Sequence, residues 1–155
     1  ADASTPKDDS RWHILAGKEG AERFADLVER FPRRVEGGTG IGSAVAYAIR
    51  MMEWNEIEAP RRVVDVSGDG IETPMREDSS ILLPAARNMA LSLGVTVNGL
   101  AIANEVHNLD DYYEANLIAG PNAFVVKARN YSDFKVAIRE KLLREIEARV
   151  AMLGR

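Results

Sequence analysis

Apolar positions along this chain switch between two spacings, and each switch marks an element. Residues 12–15, starting at Trp12, form a short apolar run that reads as a strand. Over 19–31 apolar side chains recur at Ala21, Phe24, Ala25, Val28 and Phe31, one face of a helix that Pro32 would stop. After a glycine loop, Ile41, Ala44, Val45, Ala48, Ile49 and Met52 make a second helical face, with Thr39 placed as its N-cap. Residues 63–66, mostly valine, suit a strand. A polar loop over 71–79, with Pro74, leads to a helix capped by Ser79 or Ser80 and running to Leu93. Pro84 is tolerated in its first turn and Gly94 stops it. A strand over 95–103, a tyrosine-bearing helix over 109–119 closed by Gly120-Pro121, and a strand over 123–128 follow. Ser132 then caps a last helix with a stripe of Phe134, Ile138, Leu142, Ile146, Val150 and Leu153.

The predicted order is β-α-α-β-α-β-α-β-α, which implies an α/β fold with a doubly wound, mostly parallel sheet. Residues 1–10, polar and interrupted by Pro6, read as a flexible arm, and 11–155 as one domain. Four strands are few for a sheet covered on both faces, and the Val63-Val64 strand expects neighbours on both sides. A strand in the middle of the sheet is therefore missing from this reading.

Composition narrows the function classes. With 155 residues, 46% hydrophobic and 28% charged, the chain has the make-up of a globular domain. A formal charge of −4, without a basic stripe, argues against nucleic acid as partner. The Arg33-Arg34 and Arg61-Arg62 pairs read as solvated flanks. There is no cysteine, which removes thiolate metal sites and cysteine nucleophiles. No apolar run approaches the roughly 18 residues of a membrane span. The first residue is Ala, consistent with a trimmed terminus, a mature end after export, or internal cleavage.

Chemistry concentrates where Val63-Val64-Asp65-Val66-Ser67-Gly68-Asp69-Gly70 leaves its strand, because the carboxyl ends of strands in open α/β sheets are where ligands bind. Asp65 and Asp69 need donors or a cation there, since an unpaired buried carboxylate is costly. The loop Gly37-Gly38-Thr39-Gly40-Ile41-Gly42 brings a hydroxyl to a helix start. Carboxylate and hydroxyl oxygens together suit a hard cation such as Mg²⁺. Turn-capping by Asp69, helix-capping by Thr39 and satisfaction of Asp65 by neighbouring donors are the competing structural explanations. Ser67 reads as a turn hydroxyl, with no general base marked for it. The glycine loop does not follow a hydrophobic strand and lacks a Gly-Lys-Ser/Thr ending, so a nucleotide site is disfavoured. Ser67-Gly68-Asp69-Gly70 is similar to the late acidic motif of haloacid-dehalogenase-like phosphatases, but their Asp-x-Asp nucleophile strand is absent. His13 and His107 make no metal pair, and Tyr112-Tyr113 reads as core packing. The polar loop over 104–111 would lie beside the same sheet end.

Gly38-Thr39-Gly40-Ile41-Gly42 and the 63–70 segment together resemble a von Willebrand factor type A domain. Gly94-Val95-Thr96-Val97-Asn98-Gly99-Leu100, Tyr112-Tyr113 and Gly120-Pro121-Asn122-Ala123-Phe124-Val125 make it similar to an exported bacterial branch of that superfamily. The resemblance covers about residues 12–147 and implies a three-layer α/β fold. It also implies a metal-ion-dependent adhesion site in which Thr39 matches the second-loop threonine and Asp69 the third-loop aspartate. Ser67 and Asp65 are further candidates at the same strand end. The first-loop Asp-x-Ser-x-Ser has no counterpart, so the stretch looks like the carboxyl-terminal portion of the domain, without its first strands.

Three functions follow as expectations. The first is a protein-binding module whose Mg²⁺ (or Mn²⁺ or Ca²⁺) is completed by a partner's acidic group. A companion chain would carry the amino-terminal part of the domain and the missing loop. The second is a metal-free structural subunit of a larger assembly. The third is a phosphate-ester hydrolase using Asp65 or Asp69. By the same resemblance the setting is periplasmic or otherwise exported, with a cytoplasmic one left open.

Overall fold

The computed structural model describes residues 10–31, 38–73 and 80–153, with side chains to residue 147. Its elements run α1 (Gly17–Glu29), α2 (Ile41–Trp54), β1 (Arg62–Gly68), α3 (Leu83–Ser92), β2 (Val95–Ile102), α4 (Leu109–Asn116), β3 (Val125–Ala128) and α5 (Phe134–Leu153). The three strands form one parallel sheet in the order β1-β2-β3. Side chains alternate across it. Val64, Val95, Val97 and Ala101 face α2, α3 and α4. Leu100, Ile102, Val126 and Ala128 face α5, which contributes Ala137. With helices on both faces the fold is α/β and doubly wound, as the alternation of periods predicts.

β2 is buried along its whole length, because it has a strand on each side and helices above and below. Gly94, at φ +65, ends α3 in the left-handed region and turns the chain directly into it. Asn98 is the polar exception in this strand. Its Oδ1 accepts the Phe124 N–H at 3.1 Å and its Nδ2 donates to Glu145, so its burial leaves neither amide atom unsatisfied.

Several predicted elements change. Residues 12–15 are not a strand: Trp12, Ile14 and Leu15 are exposed and pair with nothing in the sheet. A four-residue apolar run becomes a strand only beside a ladder partner, and here its backbone packs on Gly20 of α1 instead. Thr39 is not the N-cap of α2. Gly40 holds that position without a side-chain cap, and Leu82 does so for α3, so Ser80 is not its cap; Ser79 lies outside the described residues. The turn into α5 is organised by Asn130, whose Oδ1 accepts the N–H groups of Ser132 and Asp133, rather than by a Ser132 cap. The arm through residue 9, the stop at Pro32, the Arg33-Arg34 pair and Pro74 also lie outside the described residues.

The stripe assigned to α5 is also turned. Phe134 and Ile138 are half-buried, but Leu142 and Ile146 are exposed, while Ala137 and Lys141 are buried. Residues four apart drift by roughly 40° per step around a helix, so a straight helix on a narrow sheet carries the later members off the contact line. Polar groups take their place. Lys141 Nζ pairs with Asp65 and lies 3.5 Å from Glu145 Oε1.

Close approach fixes the start of α2. A Cβ at Gly42 would stand inside contact distance of the Ile81 carbonyl oxygen and the Leu83 backbone nitrogen, which cannot give as a side-chain tip can. Gly42→Ala is expected to destabilise the fold by about 1–3 kcal/mol, measured as a lower urea midpoint at unchanged slope.

Candidate functional site

At the carboxyl end of β1 two loops are stitched together. The Thr39 carbonyl accepts the Thr73 N–H at 2.8 Å, and the Thr39 N–H donates to Thr73 Oγ1 at 3.2 Å. The Thr39 hydroxyl lies against Gly70: a Cβ there would stand 3.1 Å from Thr39 Oγ1. The glycine loop and the Asp69 loop therefore face each other across one sheet end. Thr39 is half-buried, and Asp69, the residue before Gly70, is exposed with its carboxylate accepting the Tyr131 hydroxyl.

Two tyrosines hold the Asp69 loop from below. Tyr113 is fully buried and donates its hydroxyl to the Gly70 carbonyl at 3.3 Å, and the Glu72 N–H donates to the Tyr112 hydroxyl at 3.2 Å. Burial, and then the Asp69 charge, push the Tyr113 hydroxyl above its ordinary pKa, which keeps it a neutral donor. Gly68 is required by the same contact, since a Cβ there would run into the Tyr113 hydroxyl. Tyr112-Tyr113 is core packing with a second role, as an anchor for the loop.

Glu72 is the residue that sequence reasoning missed. Its Oε2 accepts the Gly42 N–H at 3.1 Å, and the backbone N–H groups of Ile41 and Leu83 also bond to it. One carboxylate thus satisfies donors at the starts of α2 and α3, where neither helix has a side-chain cap. The only local signal was an acidic residue in a polar loop, 30 positions from its partner Gly42.

The other candidates lie apart. Asp65 turns to the α5 face, where it pairs with the fully buried Lys141 while a third of its own side chain stays exposed. Burial raises the pKa of Glu145 beside it, and the neighbouring Asp65 carboxyl adds to the rise. Asp65 is therefore satisfied by a side-chain cation within a polar cluster, and it sits ~13 Å along the strand from Asp69. Ser67 is exposed on the same face as Asp65. His13 bonds to the Ser10 carbonyl and packs on Phe24, and the His107 carbonyl accepts from Lys127, so the histidines do not converge.

Thr39 and Asp69 are the oxygen-bearing candidates on the two loops that meet at this sheet end, the Thr39 hydroxyl against Gly70 and the Asp69 carboxylate bonded by the Tyr131 hydroxyl. Their donor types fit a hard cation, but they are two ligands where such an ion takes about six. Among the described residues no three His, Cys, Asp or Glu side chains cluster around a point.

The family model described as "Protein of unknown function (DUF1194)" matches residues 1–150. The chain belongs to this family. No curated protein and no solved structure matches it. Among the described residues of this family member no helix is long and apolar enough to cross a membrane.

The Glu72 geometry sets a sign for pH dependence. Desolvation by burial lifts its pKa above 4.5 despite the backbone N–H groups that oppose the rise. A raised carboxyl contributes stability that is fully present below the unfolded value and lost as pH rises through the folded one. Between about pH 4.5 and neutrality the wild type should lose this share of stability while Glu72→Gln does not. Urea midpoints of the two proteins, compared across that window, check it.

Proposed function

We propose that this chain is a protein-binding module of the von Willebrand factor A type. In it Thr39 and Asp69 supply two oxygens of an adhesion-type Mg²⁺ site, and the remaining protein ligands come from the first-loop Asp-x-Ser-x-Ser of such a domain, which has no counterpart among residues 1–155. A partner's acidic group completes the coordination. When bound, the cation supplies an electrophilic point for that carboxylate. The chain's own task is to hold the hydroxyl and the carboxylate at fixed positions through Glu72, Tyr112 and Tyr113. The observation that carries the reading is the seating of the Thr39 hydroxyl against Gly70, next to Asp69, at the carboxyl end of a parallel strand. The setting is an exported one, in keeping with the same resemblance.

A metal-free structural subunit is the second reading. It is favoured by the Tyr131 hydroxyl, which gives the Asp69 carboxylate a hydrogen-bond donor from the chain itself.

Isothermal titration with Mg²⁺ and Mn²⁺ separates the two, on protein purified together with whatever polypeptide accompanies it. For the metal-binding reading, Thr39→Ala and Asp69→Asn each lower affinity by roughly tenfold, as loss of one ligand should. Heats of dilution alone in the wild type would leave the structural subunit standing.

A further inference from the structure

The two halves of α5 are held to the sheet by different chemistry. In the first half Phe134, Ala137 and Ile138 share an apolar cluster with Leu100, Phe124 and Val126. From residue 141 to 147 no apolar side chain of the helix is buried: Leu142, Leu143 and Ile146 are exposed at 48%, 42% and 59%. Two polar residues one turn apart face the sheet instead. Lys141 is fully buried, and Glu145 is half-buried beside it. The grip of the second half therefore rests on the polar groups that these two side chains meet.

Lys141 Nζ pairs with Asp65 of β1 and lies 3.5 Å from Glu145 Oε1, so two carboxyl groups flank one ammonium. Those carboxyl groups also stand within hydrogen-bond reach of each other. Glu145 accepts from the Asn98 amide of β2, whose Oδ1 takes the Phe124 N–H at 3.1 Å; the amide cannot flip, and its donor stays aimed at Glu145. The two other cations nearby are engaged elsewhere. Arg61, just before β1, donates through Nη1 to the Glu145 backbone carbonyl at 3.3 Å, and the Arg144 guanidinium lies over the Phe124 ring at 4.0 Å. Among the described residues no further charged side chain bonds to either carboxyl group. With both ionised, one positive charge faces two negative ones. A single proton removes that excess and turns the contact between the carboxyl groups into an O–H···O hydrogen bond.

We propose that Asp65 and Glu145 hold one proton between them over the Lys141 ammonium in mildly acidic solution, and that releasing it loosens the second half of α5 from the sheet. On release the proton goes to water, the shared O–H···O bond is lost, and two carboxylates face each other where little solvent screens them. The first half of the helix, docked by apolar contact, has no such dependence. The direction follows from the surroundings. Burial first, and then the Asp65 carboxyl, lifts Glu145 above 4.5, so the folded chain keeps a proton that an unfolded one has lost. The stabilisation is fully present below the unfolded value and disappears as pH rises through the folded one. Because the two carboxyl groups interact, the proton belongs to the pair rather than to either residue. The Thr39 and Asp69 loops take no part, since Asp65 lies ~13 Å along the strand from Asp69. The inference stands whether or not a cation binds there.

Two measurements on this chain test the proposal. In a carbon-13 NMR titration of the side-chain carboxyl groups, Glu145 titrates above 4.5 in the wild type. Asp65→Asn moves that midpoint down, because Glu145 is then left alone with Lys141. In residue-level hydrogen–deuterium exchange, protection factors corrected for intrinsic rates fall at the amides of 141–147 as pH rises above about 4.5. The fall is up to about tenfold per pH unit, the limit for one proton, while the amides of Ala137 and Ile138 lag behind. Glu145→Gln puts a neutral donor where the protonated carboxyl stood, and its 141–147 protection stays high and flat with pH. Subtracting this variant from the wild type also removes the share contributed by Glu72. A Glu145 midpoint at or below 4.5, or one that ignores Asp65→Asn, would falsify the shared proton. Protection at 141–147 that is independent of pH, or that falls as steeply in Glu145→Gln, overturns the release of the helix. Should Glu145→Gln not fold, the wild-type titration and Asp65→Asn decide alone.

Discussion

Every strand of a parallel sheet must find its hydrogen-bond partners sideways and its apolar cover above and below, and in this chain β2 meets all four demands at once. All eight of its residues are buried. The rest of the molecule is arranged around that strand: α2, α3 and α4 close one face, α5 closes the other, and β1 and β3 take the two sides. Asn98 shows how tightly the constraint acts. A buried amide in mid-strand would be costly, and it is accommodated only because Phe124 and Glu145 arrive from two different elements to satisfy it.

The candidate site grows out of the same arrangement. Because β1 is parallel to β2, its carboxyl end opens where the loops leading into α2 and α3 meet, and the unsatisfied donors of those helix starts need an acceptor. Glu72 fills that need, and in doing so ties the Asp69 loop to the loop of Thr39. Tyr112 and Tyr113 fix the loop from α4. The site's rigidity thus comes from groups that are not themselves candidate ligands. Asp65, spelled like part of the same acidic motif, is drawn instead to the α5 face by Lys141. A buried ammonium stabilises such a cluster only when carboxylates surround it, and Asp65 and Glu145 provide them.

Much of the fold, and the meeting of the two candidate loops, was legible in the sequence. The periods at 41–52 and 63–66, Gly94 as a stop and the alternation of strand with helix are local signals, and all appear in α2, β1, the end of α3 and the sheet order. The opposition of the Thr39 and Asp69 loops was readable because strand ends in such sheets attract loops of that composition. The run at 12–15 misled because apolar composition cannot say whether a ladder partner exists. The α5 stripe misled because spacing by four describes a face without saying how far the covered sheet extends.

What the sequence determined by itself is therefore what depends on near neighbours: the type of most elements, the stop at Gly94, and the polar residues placed at the end of β1. Tertiary structure alone decided that Lys141 is buried, that Glu72 serves two helix starts, and that Tyr131 reaches Asp69. The reason is physical. Each of these outcomes depends on a partner brought up by the fold from a distant part of the chain, Tyr131 to Asp69 across 62 positions and Glu72 to Gly42 across 30. No periodicity within a single element encodes those pairings.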